Sequence, residues 1–238
     1  MGGTLSLFIL NRPSALLLSI PFFLMFPIML NKRFYRNTMA YLLGFLFLGM
    51  PFFLYNQYFL GNYLLGSYAL ITDAFHLPKL TSLAGLLISP SRGLFIYSPV
   101  FLFSFFGAFL LVKSSFSRRT YFLKLLGLVG VLYLLFLSGF ASWTGSWSYG
   151  PRYLTDLLPI LAIYLSYFIN HLLRRNFRYK QFYFSVFFIA AIFSFFVQYI
   201  GAFYFTYQWD ARVEKSGVSF EEAAWDWKSP QILSIFSE

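Results

Sequence analysis

Residues 182–205 read FYFSVFFIAAIFSFFVQYIGAFYF, a run without a single Asp, Glu, Lys or Arg. A helix crosses the hydrocarbon core of a bilayer with roughly 20 mostly apolar residues. This run is long enough. Five more runs, 14–30, 39–59, 94–112, 125–141 and 157–173, are equally free of those four residue types. Pro21, Pro27, Pro51, Gly107, Gly127 and Gly130 lie inside them, as is common in membrane helices, where neighbouring groups repair the backbone. The runs lack the alternation that barrel strands require.

The rest of the composition agrees. Of 238 residues, 59% are hydrophobic, 24% aromatic and 11% charged. A soluble domain carries about a quarter charged residues. The 34 Phe and 18 Tyr exceed what a water-facing core of this length encloses. The reading is an all-α, polytopic integral membrane protein. About six transmembrane helices fill residues 1–205, and residues 206–238 form an outward-facing tail.

The net charge of +10 has a topological meaning. Lys32, Arg33 and Arg36 share one connection; Lys113, Arg118, Arg119 and Lys124 share a second; Arg174, Arg175, Arg178 and Lys180 share a third. No acid accompanies them. All eight acids (Asp73, Asp156, Asp210, Glu214, Glu221, Glu222, Asp226 and Glu238) fall on the other side of the alternating spans, where the charges sum to −1. The positive-inside rule makes the three basic loops cytoplasmic and turns the C-terminus outward. No nucleic-acid partner is needed to explain the basicity.

With no cysteine, the outer segments have no disulfides. The start Met1-Gly2-Gly3-Thr4-Leu5-Ser6 fits a myristoylation pattern, a weak signal that an outward N-terminus opposes. Arg12 interrupts the first apolar run, which argues against a cleaved signal peptide. Residues 2–10 are apolar but too short to span and lead into Asn11-Arg12-Pro13. They read either as the end of a helix that begins earlier or as an interfacial segment anchored by Arg12.

Two outer segments hold unusual polar residues. In the first, the apolar stretch 80–88 predicts a short interfacial helix ending in Ser89-Pro90-Ser91-Arg92-Gly93, with Tyr97-Ser98-Pro99 a turn later. Free backbone N–H groups beside Arg92 suit a phosphate; a Pro/Gly turn with an anchoring arginine accounts for the same residues. In the second, Trp143-Thr144-Gly145-Ser146-Trp147-Ser148-Tyr149-Gly150-Pro151-Arg152-Tyr153 leads to Asp156. Aromatic platforms beside an arginine suit a sugar ring linked to a phosphate. Small residues between the rings let a chain or ligand approach the backbone. The opposing structural reading pairs Arg152 with Asp156, four positions on.

In the tail, Ser219-Phe220-Glu221-Glu222 reads as a capping box opening a short amphipathic helix through Ala224 to Trp227. Its acids match no ligand spacing, so no metal site is assigned. No nucleophile elbow, P-loop, dinucleotide fingerprint or zinc spacing occurs. His76 and His171 fall on opposite sides of the membrane.

The segment Gly85-Leu86-Leu87-Ile88-Ser89-Pro90-Ser91-Arg92-Gly93-Leu94 with Tyr97-Ser98-Pro99, and the segment from Trp143 to Pro159, resemble stretches of bacterial GT-C-type polytopic membrane glycosyltransferases. These include relatives of protein mannosyltransferases and of the lipid A aminosugar transferases. Residues 2–21 are similar to a helix-to-helix junction of that family. The resemblance implies sugar transfer from a polyprenyl-phosphate donor on the outer side of the cytoplasmic membrane, often with a divalent metal. It makes Arg92 and Arg152 candidate clamps on the donor phosphate, with Tyr97, Trp143, Trp147, Tyr149, Tyr153 and Asp156 as candidate substrate-lining residues. The family's acidic catalytic loop has no counterpart here. The chain is therefore expected to represent an N-terminally truncated, C-terminal portion, with no catalytic residue assigned and no cofactor of its own. The alternative is a non-catalytic membrane protein that handles a polyprenyl-linked lipid or supports a partner enzyme.

Overall fold

The computed structural model describes residues 17–21, 34–61, 75–174, 178–205 and 207–234. Among these the chain is mostly helical, and its only strand-like feature is an isolated bridge between Phe75 and Phe140. Contacts divide it into two compact units: Met1–Ala74 with Tyr121–Tyr133, and Phe75–Thr120 with Leu134–Glu238.

In the first unit, α1 (Phe34–Leu60) continues through Pro51. Its stretch Leu42–Leu60 is long and apolar enough to cross a membrane. Leu43, Phe47 and Tyr58 are exposed along it, which suits a lipid solvent. Of the run expected over 14–30, only residues 17–21 are described, and they are helical.

The second unit begins with α2 (Leu80–Ile88), the expected short helix. The expected span 94–112 is broken. Helix α3 (Leu94–Tyr97) stops at Ser98, a 3-10 turn covers Pro99–Phe101, and α4 (Leu102–Val112) follows. Pro99 causes the break, because proline has no N–H to donate and drives the preceding residue out of helical geometry. Ser98 accordingly sits at φ −145° and ψ 68°. At 11 residues, α4 alone covers about half of a bilayer core.

Helix α5 (Arg118–Ser138) opens earlier than the apolar run suggests. Ser117 Oγ accepts from Thr120 N at 3.1 Å, and Thr120 Oγ1 accepts from Ser117 N at 2.8 Å. That reciprocal cap fixes the first turn. A 3-10 turn (Arg152–Leu157) leads into α6 (Leu158–Arg174), and α7 runs over Lys180–Tyr204. With α1, the segments Arg118–Ser138, Arg152–Arg174 and Lys180–Tyr204 make four membrane-length apolar helices among the described residues. The chain is thus a multi-pass membrane protein by length and composition of its helices.

Helices α4 and α6 run parallel and very close. Ser104 Oγ donates to the Leu161 carbonyl at 2.8 Å. A Cβ on Gly107 would fall 1.7 Å from the Tyr164 carbonyl oxygen. Close approach through small residues is how helices associate in lipid, where no hydrophobic drive separates tail from side chain. Helix α7 returns antiparallel, with Phe187 edge-on to Phe103 at 5.5 Å and Lys180 Nζ donating to the Leu173 carbonyl at 3.1 Å. The unit therefore has two ends. One carries Lys113, Arg174 and Lys180; the other carries residues 141–151.

The tail is more ordered than a solvated, interface-lying helix. It folds into α8 (Gln208–Ser216), α9 (Phe220–Ala224) and α10 (Gln231–Ser234). Gly217 at φ +71° closes α8 in the left-handed conformation that glycine adopts without strain. Ser219 Oγ accepts from Glu222 N at 3.1 Å, as the capping pattern requires, but α9 ends at Ala224 rather than Trp227. Trp209, Val213 and Ala223 form a small buried core with Phe220 against it.

Candidate functional site

Arg92 is the largest fully buried side chain among the described residues. Its position follows from the local sequence. Helix α2 ends at Ser89, whose hydroxyl accepts the Arg92 N–H at 3.2 Å, and the Gly93 N–H donates to the Ser89 carbonyl at 2.8 Å. This tight turn directs Arg92 inward. There Nη1 donates to the carbonyls of Ser148 at 2.8 Å and Ser91 at 3.2 Å, and to Gln231 Oε1. Nη2 donates to the Ser146 carbonyl at 2.9 Å and to Asp210 Oδ1 at 3.1 Å. The guanidinium also lies 5.0 Å from the Trp209 ring centre.

Gln231 completes the cage. Its Oε1 also accepts from Tyr97 Oη at 3.2 Å and Gly150 N at 3.0 Å. Its Nε2 donates to the Ser148 carbonyl at 2.9 Å. Its own N–H donates to Ser91 Oγ at 3.1 Å. A buried charge is tolerated only when it is paired and its hydrogen bonds are met. Both terminal nitrogens of Arg92 meet that condition, while its Nε finds no acceptor among the described residues. Burial pushes the Asp210 carboxyl above its ordinary value, although Arg92 draws it down. Burial likewise lowers Arg92, against the pull of Tyr97 and Asp210. Removing either partner would strand the other charge in the interior, so the pair holds the geometry of the cage.

The aromatic residues expected to line a substrate site have varied positions. Tyr97 is buried, also donates to the Ser91 carbonyl at 3.0 Å, and meets Tyr149 edge-on at 5.1 Å. Tyr149 Oη donates to the Val197 carbonyl at 3.0 Å, and burial pushes this phenol up to about 12. Trp143 is buried, and its indole N–H finds no acceptor among the described residues. Tyr153 meets Phe140 edge-on at 5.6 Å, and Asp156 is half-buried. Trp147 and Arg152 are exposed.

The glycines among the rings are filled by the protein itself. A Cβ on Gly150, at φ +59°, would meet the Tyr97 ring at 2.6 Å. One on Gly85 would meet Trp143 at 2.2 Å, and one on Gly201 would meet Tyr149 at 2.1 Å. The room that small residues leave near the backbone is taken here by Tyr97, Trp143 and Tyr149.

The structure thus brings Arg92, Tyr97 and Tyr149 together and leaves Arg152 with Trp147 on the surface of the same loop. No family model, no curated protein and no solved structure matches the chain. Sequence reasoning missed Asp210 and Gln231 as partners of Arg92. Asp210 was visible only as one acid among several in the tail. Gln231, in Ser229-Pro230-Gln231, carries no signal.

Among the described residues no three His, Cys, Asp or Glu side chains gather into a metal-binding group. Asp210 is already engaged by Arg92.

Gln231→Leu should lower unfolding stability by about 1–3 kcal/mol, because the buried Gly150 N–H loses its acceptor and the Arg92 guanidinium loses one of its own. Denaturant titration in detergent checks this. An unchanged midpoint would remove the carboxamide from the closed cage.

Proposed function

We propose that the chain is a GT-C-like membrane glycosyltransferase that takes a sugar from a polyprenyl-phosphate donor at the membrane surface. The observation that supports this most is convergence. The two segments that resemble that family meet through Arg92, which donates to Ser148 from 56 positions away. Within this reading the two arginines have different parts. Arg92 is enclosed and acts as a positioning residue that holds the two loops together. Arg152 is exposed beside Gly145, whose φ of +77° opens the turn. It is the residue free to meet a donor phosphate, with Trp147 exposed on the same loop for the sugar or prenyl chain. Negative charge grows on the phosphate as the glycosidic bond breaks, and a fixed cation stabilises that charge most at the transition state.

The full-length chain carrying Arg152→Ala should lose transfer from a polyprenyl-phosphate-linked sugar by about 10²–10³-fold, while Arg152→Lys keeps part of it. Labelled-sugar transfer and direct binding of polyprenyl phosphate are measured together. Donor binding that depends on Arg152, with no transfer in the unsubstituted chain, would favour non-catalytic lipid handling. Equal binding and transfer in Arg152→Ala would remove the phosphate assignment.

A further inference from the structure

The end of the second unit opposite Arg92 holds a concentration of cations that the cage does not use. Lys113 caps α4, a short connection leads to Arg118 and Arg119 in the first turn of α5, Arg174 ends α6, and Arg178 and Lys180 open α7. The parallel run of α4 beside α6 and the antiparallel return of α7 gather these positions at one end. No Asp or Glu lies in the connecting segment 113–120 or in 170–181. Asp156 lies near the end of the turn that leads into α6, and Asp210, Glu214, Glu221, Glu222 and Asp226 follow α7, all toward the other end.

The surroundings of these cations are apolar. Lys113 Nζ lies 4.2 Å from the Phe109 ring centre, and the Arg178 guanidinium lies 5.8 Å from that of Tyr179. Phe116, Leu173, Tyr179 and Phe182 are exposed around them. Arg118 and Arg119 occupy a first turn where acids are favoured and cations opposed by the helix dipole. A soluble acidic partner would leave the exposed aromatics in water. Lipid meets both features: acyl chains take the aromatic rim while phosphodiesters neutralise the cations, each of which adds to the attraction at an anionic surface.

We infer that this end binds anionic phospholipid headgroups of the leaflet it faces, through Arg118, Arg119 and Arg174 together with Lys113, Arg178 and Lys180. This rests on the multi-pass membrane reading alone, and does not depend on sugar transfer. Binding neutralises like charges that α4, α6 and α7 bring together at that end.

The test uses the full chain, purified from detergent micelles containing equimolar phosphatidylglycerol and phosphatidylcholine. Retained lipid is quantified by mass spectrometry. The expected result is phosphatidylglycerol enrichment of about fivefold or more over the input ratio, reduced by added salt. The triple variant R118Q/R119Q/R174Q should bring the ratio close to the input, while R118K/R119K/R174K keeps the enrichment and controls for folding. The tail variant R212Q/K215Q/K228Q should behave as the unsubstituted chain. No enrichment in the unsubstituted chain would overturn the inference. So would equal losses in the two glutamine triples, or the same loss in the lysine triple.

Discussion

Asp210→Ala is expected to be among the most damaging single changes in this chain, costing about 3–5 kcal/mol. The mutation leaves the Arg92 guanidinium buried at 1% exposure with no counter-charge. Arginine cannot escape by losing its proton, so the cage must open to water. The tail would be the part to open, since Asp210 and Gln231 are its ties to Arg92 and Tyr97. Two measurements check this. The thermal midpoint in detergent should fall, and trypsin should cut at Arg212 and Lys215 much faster while the membrane helices stay intact. The double variant Arg92→Met with Asp210→Leu should lose less than the two single changes added together, because it removes both buried charges at once. Strict additivity would show that the pair does not act as a unit.

Gly107→Ala should be the second large loss, with a sign opposite to the usual one. In an open helix, alanine in place of glycine stabilises by about 0.5–1 kcal/mol. Here the new methyl would meet the Tyr164 carbonyl oxygen and the Phe168 amide nitrogen, both backbone atoms that cannot rotate away. Helices α4 and α6 would have to separate, weakening the Ser104–Leu161 hydrogen bond and the packing of Phe103 on Phe168. A loss of about 3 kcal/mol is expected, at the upper end for an overpacked interface. Gly201→Ala is the matched comparison. The atoms nearest its methyl belong to the Tyr149 ring, a side chain rather than backbone. The midpoint of Gly107→Ala should therefore fall further than that of Gly201→Ala. The reverse order would mean that the α4–α6 approach is not set by backbone contact.

Features that depend on a few neighbouring residues are legible in the sequence itself. The apolar run at 182–205 forms α7, the stretch 80–88 forms α2, and Ser219 caps α9. Each depends on interactions within one or two turns. The expected span 94–112 shows the limit of reading by hydropathy, because Pro99 interrupts the hydrogen bonds without making the run less apolar. The local i,i+4 rule that suggested Arg152 with Asp156 assumes an α-helix. Residues 152–157 form a 3-10 turn instead, in which the Thr155 hydroxyl donates to the Arg152 carbonyl at 2.8 Å.

The sequence alone determined the solvent of this protein and the approximate places of its long apolar helices, because the cost of placing each segment in lipid is a sum over that segment's own residues. Only the tertiary structure decided which arginine is enclosed and which is free. Arg92 and Arg152 both stand in Gly/Pro-rich loops near aromatic residues, with nothing local to distinguish their roles. Asp210, 118 positions from Arg92, makes the difference. Burying a charge requires a partner, and distance in the folded chain decides where that partner is found.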